Sequence, residues 1–299
     1  MQSAKIKCSI GIIAYNEEKI IGKLLKSLQE QKLEKVIIDE IIVVSSASTD
    51  DTDKIVKSFS EDDDRIKLIV ESERNGKSSA INNFIKHSQN EILIIESGDT
   101  IPAANTVEKM ISAFSDENIG MTGGRPIPEN RANNFIGYSV NLLWKLHHKM
   151  ALISPKLGEM IAFRKIFDEI PIESAVDEAS IESQITSAGL QKKYIPEAII
   201  HNKGPETIKD FIKQRRRIAT GHIWLKDSTG YKVSSMNSSL LLKLMWEEIV
   251  TNPSLIFYLL GTLILEQISR ILGWIDYKIL KKNPFKWDMV QSTKNMKYK

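Results

Sequence analysis

Cysteine is nearly absent from this 299-residue chain, where Cys8 stands alone. An internal disulfide is therefore excluded, and a lone thiol inside a strand-like stretch fits a reducing compartment. A strong excess of one charge is missing too. The net charge of +3 is too small to argue for nucleic acid, and no arginine–aromatic pattern suited to bases is present. Internal repeats and low-complexity stretches are lacking. The start of the chain does not read as a signal peptide, because the apolar run from Ile10 to Ala14 is short and Asn16-Glu17-Glu18 follows it instead of a small-residue cleavage site. The clean apolar run from Ser254 to Leu265 falls short of the ~20 residues a perpendicular membrane span needs. What remains, 42% hydrophobic and 26% charged residues, is enough for one large core or two modest ones.

The chain is organised around Ile92-Leu93-Ile94-Ile95-Glu96-Ser97-Gly98-Asp99. Four apolar residues in a row read as a buried parallel strand. Ser-Gly-Asp forms a polar turn, and Pro102 ends the strand, so Asp99 sits at its C-terminal mouth. Ligands bind there in open α/β sheets. A carboxylate at that point suits Mg²⁺ or Mn²⁺, which in turn suits a diphosphate; the plainer reading is a helix cap for the segment starting near Asn105. Upstream, strands are expected over Ile6–Ala14, Glu40–Ser45 and Ile66–Val70. Helices are expected through Ile20, Leu24, Leu25 and Leu28, with Asn16 as N-cap, through Ile55, Val56 and Phe59, and from Gly76-Lys77 onward. This alternation implies a parallel, doubly wound sheet over roughly the first 120 residues.

Beyond Gly123-Gly124-Arg125-Pro126 the pattern changes. An amphipathic helix is expected over 133–150, a short strand over 158–164, and a helix over 179–188 closed by Gly189. Two short strands, 192–195 and 198–201, flank Pro196, and a basic helix runs over about 207–227. The C-terminal part, 231–299, reads as a separate unit of helices with a basic tail holding seven lysines against two aspartates from Asp276 on. For the apolar segment after Pro253 three readings stand: a core helix, an interfacial helix and a tilted span. The interfacial one is preferred because its charges, Glu266 and Arg270, lie four apart on one side. The tail reads either as attracted to anionic lipid or as a solvated end.

Five features carry chemistry. The loop Ser46 to Asp50 at the mouth of the second strand offers hydroxyls and a carboxylate to a base or ribose, or simply caps a helix. Asn75-Gly76-Lys77 opens a helix with free N–H groups and a cation for phosphate. Asp99 is the third. Asp177-Glu178 starts a helix; the two carboxylates repel, which raises the pKa of one and suits a general base, although acidic residues also favour a helix N-terminus. Gln214-Arg215-Arg216-Arg217 is the fifth. Three consecutive arginines span most of a turn and cannot all face one ligand, whereas Arg217 shares a face with Gln214. Together these residue types make a kit for displacing a nucleoside diphosphate from a sugar.

The ordered series resembles family 2 glycosyltransferases of the GT-A fold over about 3–225. The stretch from Ser9 to Glu18 resembles their opening strand and turn, which implies donor contacts at Ala14, Tyr15, Asn16 and Glu18. Asp39 to Thr52 resembles their nucleotide loop, implying Ser46, Ser48 and Asp50, and Asn75-Gly76-Lys77 resembles their Gly-Lys helix start. Ser97-Gly98-Asp99 falls on Asp-x-Asp, with Ser97 in place of the first carboxylate. Asp177-Glu178 falls on the acidic pair whose second member is the usual base, and Gln214 to Ile218 is similar to Gln-x-x-Arg-Trp of membrane-associated members. The resemblance implies a Rossmann-like, mostly parallel sheet with C-terminal membrane-associated helices, and an inverting transferase dependent on Mg²⁺ or Mn²⁺ at Asp99. It further implies a nucleotide-sugar donor, UDP-linked above all, a glycan or lipid-linked acceptor, no nucleic acid, and attachment to the cytoplasmic face of the cell membrane. Arg125, Lys156, Glu159, Gln214, Arg216 and Arg217 are the residues expected around diphosphate and acceptor. His201 is a possible further metal ligand, and His147 and His148 are read as structural. A membrane-tethered nucleotide-sugar binder without catalysis is the alternative. A sugar-nucleotide pyrophosphorylase is disfavoured because its Gly-rich, Arg-containing opening loop is missing.

Overall fold

The computed structural model describes residues 5–234 and 238–283, with 285, 286 and 293 besides; most of the basic tail therefore lies outside the described residues. Eight strands form one sheet in the order β3-β2-β1-β4-β7-β6-β8-β5. Four of them, β1 (Ile6–Ala14), β2 (Val36–Ser46), β3 (Ile66–Glu71) and β4 (Ile92–Ser97), are parallel neighbours. The near-continuous apolar runs of β1, β2 and β4 follow from burial on both faces, while the edge strand β3 leaves Lys67 and Val70 exposed. Helices α1 (Ile21–Gln29), α2 (Thr52–Asp62) and α3 (Lys77–His87) connect them. Cys8 lies inside this core, where burial pushes its thiol up to about 12, so it is an inert packing residue.

The second half of the sheet is mixed. β7 (Ile161–Arg164) runs antiparallel to both β4 and β6 (Ile119–Pro128), while β6 pairs in parallel with β8 (Gln191–Asn202). The short β5 (Ile101–Pro102) closes the edge antiparallel to β8. Two expectations are corrected here. The strands flanking Pro196 are one continuous strand, because the register shift between Gly123 and Arg125 leaves an interruption in the ladder opposite the proline. Asn16 is not an N-cap: α1 begins at Ile21, and Asn16 sits at φ +53° in the turn before it.

Helices α4 (Thr106–Ser112), α5 (Phe135–Ile153), α6 (Asp177–Ser187) and α7 (Ile208–Thr229) follow, the last capped by Thr207 and ended by Gly230 at φ +75°. Past Gly230, α8 (Ser238–Thr251) and α9 (Ile256–Trp274) pack back onto α5 and α7. At Gly273 an added Cβ would lie 2.7 Å from the Arg216 carbonyl and 2.9 Å from Ala219, so α9 crosses α7 almost backbone to backbone. The polarity of α9 is inverted. Thr262, Glu266, Ser269 and Gly273 are buried, whereas Phe257, Leu260, Ile264, Ile268, Ile271 and Trp274 are exposed along one face. A core helix of a water-soluble domain turns its apolar face inward; α9 buries Leu259 against α5 and α8 but leaves the opposite apolar face exposed. By length and composition the segment Pro253–Ile279 is long and apolar enough to cross a membrane.

Candidate functional site

A cavity of about 420 Å³ opens at the C-terminal ends of β1, β2 and β4 and extends under α5, α7 and α9. Its outer wall holds Ala14, Tyr15, Ser46, Arg74, Gly76 and Lys77. The Arg74 guanidinium lies 4.1 Å from the centre of the Tyr15 ring, which builds a flat clamp beside the strand mouths. The loop after β1 is tied to the loop after β2. The Asn16 N–H donates to Ser48 Oγ (3.1 Å), Thr49 N–H to Asn16 Oδ1 (2.8 Å) and Glu18 N–H to Asp50 Oδ2 (3.1 Å). Asn16, Glu18, Ser48 and Asp50 thus spend their polar atoms on each other and do not line the cavity; Asn75 is also outside it. Ser46 lines the cavity and donates to Glu71 Oε2 at 2.8 Å.

Below this wall the turn after β4 brings Ser97, Gly98 and Asp99 to the cavity. Gly98 N–H bonds the Ile13 carbonyl at 3.0 Å, and a Cβ there would sit 3.0 Å from Glu17 Cγ and 3.1 Å from that carbonyl, so a side chain would press the turn away from β1. Glu159 lines the same space from the loop before β7, at φ +59°. Desolvation, then repulsion from Asp99, raises its carboxyl to about 7. Glu96, fully buried and bonded by Thr100, is raised to about 8, chiefly by desolvation. Asn202 donates through Nδ2 to Glu159 Oε1 at 3.1 Å, and its buried Oδ1 has no hydrogen-bond partner among the described residues. Desolvated, mutually repelling carboxylates and an unused amide oxygen are hard donors that fit Mg²⁺ or Mn²⁺. Among the described residues no three His, Cys, Asp or Glu side chains form a ready metal cage. A cation there would complete its shell with phosphate oxygens and water, as Mg²⁺ commonly does. His201 does not line the cavity. The alternation of β8 presents Asn202 there instead, and this replaces the expectation for His201.

The acidic pair lines the same cavity, and Glu178 and Lys77 act on Glu159 together with Asp99. Lys77, expected to serve phosphate, makes ion pairs with Asp177 Oδ2 (2.7 Å) and Glu178 Oε1 (2.9 Å). Burial opposes its charge, but the two carboxylates outweigh that and hold its pKa above the ordinary lysine value. Asp177, whose side chain is 3% exposed, is raised by desolvation and by the charge of Glu178. Glu178, at 22%, is the more exposed of the two, and both line the cavity. Burial works against its charge, yet Lys77 keeps it below the usual carboxylate range. Arg217 reaches the pair from α7 and donates to the Ala175 carbonyl at 3.2 Å. Its neighbours diverge as helix geometry requires. Arg215 forks onto Glu266 (2.7 and 2.8 Å), and Arg216 makes a two-pronged pair with Asp276, outside the cavity. Arg216 therefore binds α7 to the C-terminal helix, which corrects its expected place beside the diphosphate. Gln214 and Lys156 line the cavity, whereas Arg125 does not; its charge acts on His148 and Tyr194.

Glu17, Arg74, Asn202, His147 and His222 line the cavity although the sequence reading gave none of them a role in the site. Glu17 and Asn202 are each one residue from a chosen neighbour, so strand and turn parity was the missing signal. His147 was read as structural; it faces the cavity, while His148 turns the other way and bonds Tyr194 at 2.9 Å.

Residues 9–177 match the family described as Glycosyl transferase family 2. The chain is 28% identical over 236 residues to the probable glycosyltransferase YdaM of Bacillus subtilis (strain 168), an alignment covering 72% of this chain and 55% of that one. It thus spans about half the length of that curated relative. Its fold is similar to that of the mannosyltransferase PcManGT from Pyrobaculum calidifontis, solved with GDP-Man and Mn²⁺ (TM-score 0.67, 19% identity, 94% of this chain and 89% of that one). It also matches glucosyl-3-phosphoglycerate synthase from Mycobacterium tuberculosis, solved with Mn²⁺, UDP and glucosyl-3-phosphoglycerate (TM-score 0.53, 16% identity, 75% and 80%). These neighbours share the GT-A fold.

Proposed function

Because this chain belongs to glycosyl transferase family 2, we propose that its cavity moves a sugar from a nucleoside-diphosphate sugar to an acceptor hydroxyl with inversion. The observation that carries this reading is the meeting of Lys77, Asp177 and Glu178 in the cavity that Asp99 also lines. The nucleotide would lie along the clamp of Tyr15 and Arg74, with its diphosphate between Gly76 and Gly98. When bound, Mg²⁺ or Mn²⁺ would be held by Asp99 with the Glu159 and Asn202 oxygens, and would offset charge on the leaving diphosphate.

Glu178 is kept ionised by Lys77 and takes the acceptor hydroxyl proton. The freed oxygen attacks the anomeric carbon on the side opposite the nucleotide, and the bond to the diphosphate breaks with its electron pair. A single displacement inverts that carbon. Asp177, nearly fully buried, holds Lys77 in place, and its burial leaves the more exposed Glu178 to meet the acceptor. Arg217 adds positive charge beside the reacting groups. We propose UDP as the nucleotide and a hexose or N-acetylhexosamine as the sugar; the mycobacterial neighbour binds UDP, and the Pyrobaculum one GDP-Man. The exposed apolar face of α9 supports attachment to a membrane surface, proposed as the cytoplasmic one.

The test is a donor panel of UDP- and GDP-sugars with Mn²⁺, reading nucleotide release by the purified full chain. Release from at least one donor, lost in Glu178→Gln while nucleotide binding persists, is the expected result. Binding without turnover of any donor would favour a nucleotide-sugar binder.

A further inference from the structure

Glu71 closes strand β3 and is buried. Its carboxylate is used on both sides. Oε1 accepts from Ser79 Oγ (2.9 Å) and from Asn83 Nδ2 (2.7 Å), both on α3. Oε2 accepts from Ser46 Oγ at 2.8 Å. A carboxylate only accepts, and a serine hydroxyl has one proton to give. The proton of Ser46 is therefore committed to Glu71, and what its oxygen offers a ligand in the cavity is a lone pair. A free hydroxyl rotates to suit a donor or an acceptor alike; here Glu71 has fixed its polarity. The place of this hydroxyl matters as much. Ala14 pairs with Ser45 at the parallel ends of β1 and β2, so Tyr15 and Ser46, the next residue on each strand, stand side by side. Tyr15 and Arg74 form the flat clamp, and all three residues line the cavity. A base resting its face on an aromatic platform turns its edge to the groups beside it, and Ser46 is such a group.

We propose that Ser46, its hydroxyl oriented by Glu71, selects the nucleobase of the donor. It accepts a hydrogen bond from a base such as uracil, whose ring nitrogen between the two carbonyls carries a hydrogen. It opposes a base such as cytosine, where the same nitrogen carries a lone pair. Ser46 touches the base, and Glu71 is a positioning residue that acts through it. The inference rests on the transferase reading and deepens it by naming the class of base. A ribose hydroxyl has no use for the fixed polarity, because it donates or accepts equally well. Two lone pairs facing each other in a desolvated site leave both unsatisfied, which costs more than a good bond gains. A site built this way therefore rejects the wrong base more strongly than it holds the right one.

The experiment is calorimetric titration of the full chain in detergent, with Mn²⁺ present, by UDP and by CDP. It is run for the wild type, Ser46→Ala, Glu71→Met and Ser79→Ala. The wild type should bind UDP at least about tenfold more tightly than CDP. Ser46→Ala and Glu71→Met should both shrink that margin toward unity, by opposite routes. Ser46→Ala loses affinity for UDP. Glu71→Met frees the hydroxyl to donate, so affinity for CDP rises by at least about threefold, a gain that damage to the fold does not produce. Ser79→Ala removes a different donor from Glu71 and should keep the margin. Equal or tighter binding of CDP by the wild type, a margin unmoved in Ser46→Ala, or a parallel loss of both nucleotides in a folded Glu71→Met would each overturn the proposal. Ser46→Ala decides alone if Glu71→Met does not fold. A preference for UDP that depends on Ser46, with no donor turned over, would defeat the transferase reading and leave the base filter standing. Sugar transfer with UDP and CDP bound equally would do the reverse.

Discussion

Helices α1 and α9 obey opposite rules. In α1, Ile21, Leu24, Leu25 and Leu28 are buried and Lys23 and Lys26 face outward. In α9 the buried side carries Thr262, Glu266 and Ser269, and the outward side carries Phe257, Ile264 and Ile271. The first pattern is what water imposes. The second is its reverse, with polar residues turned toward the protein and paired there, and it supports the proposed membrane attachment. The two patterns meet at one cavity, which runs from the strand mouths to the helices α5, α7 and α9.

The largest test of this contrast separates donor binding from chemistry. Glu178→Gln should lower kcat by about 10²–10⁴-fold with UDP affinity unchanged; intact turnover would remove Glu178 from the mechanism. Next, the two helices should fail for opposite reasons. Leu24→Ala in α1 is expected to cost about 2–5 kcal/mol by opening a cavity. Glu266→Leu in α9 is expected to cost about 3–5 kcal/mol, because Arg215 is left buried without its partner. Denaturant titration in detergent measures both, and a neutral Glu266→Leu would make the α9 pair dispensable. The outward faces sharpen the point further. Ile264→Glu should change stability by less than about 0.5 kcal/mol yet weaken sedimentation with anionic vesicles, whereas Lys26→Glu should do neither. The smallest effect concerns pH. Lys77→Met removes the cation that keeps Glu178 below the usual range. The Glu178 pKa then rises, and the acid limb of the kcat/KM profile moves to higher pH; a limb that stays in place would mean another group sets it.

Much of the first half was legible because apolar runs bounded by polar turns leave few alternatives. Ile92 to Ser97 formed the central strand, and Asp99 came to its mouth. What escaped were matters of parity and partnership. Whether Glu17 or Glu18, or His201 or Asn202, faces the cavity depends on one residue of register. Side chains such as Asn16, Ser48 and Asp50 suit a ribose by type, but the second loop lies close enough to consume their hydrogen bonds first. Lys77 suits a phosphate by type, and a pair of carboxylates about 100 residues later in the sequence claims it. The inverted face of α9 was visible as an apolar stretch with spaced charges; its orientation became clear only once α7 was laid against it.

Residues 215, 216 and 217 of α7 point to three destinations: a buried glutamate, an aspartate near the end of the outer helix and the carbonyl beside the acidic pair. These directions fix the azimuth of the helix. A roll of α7 about its axis that moved Arg217 would tear the other two pairs apart in the same motion. The outermost helix therefore acts as a keyway for the innermost arginine, and its ion pairs set where positive charge stands beside the acidic pair.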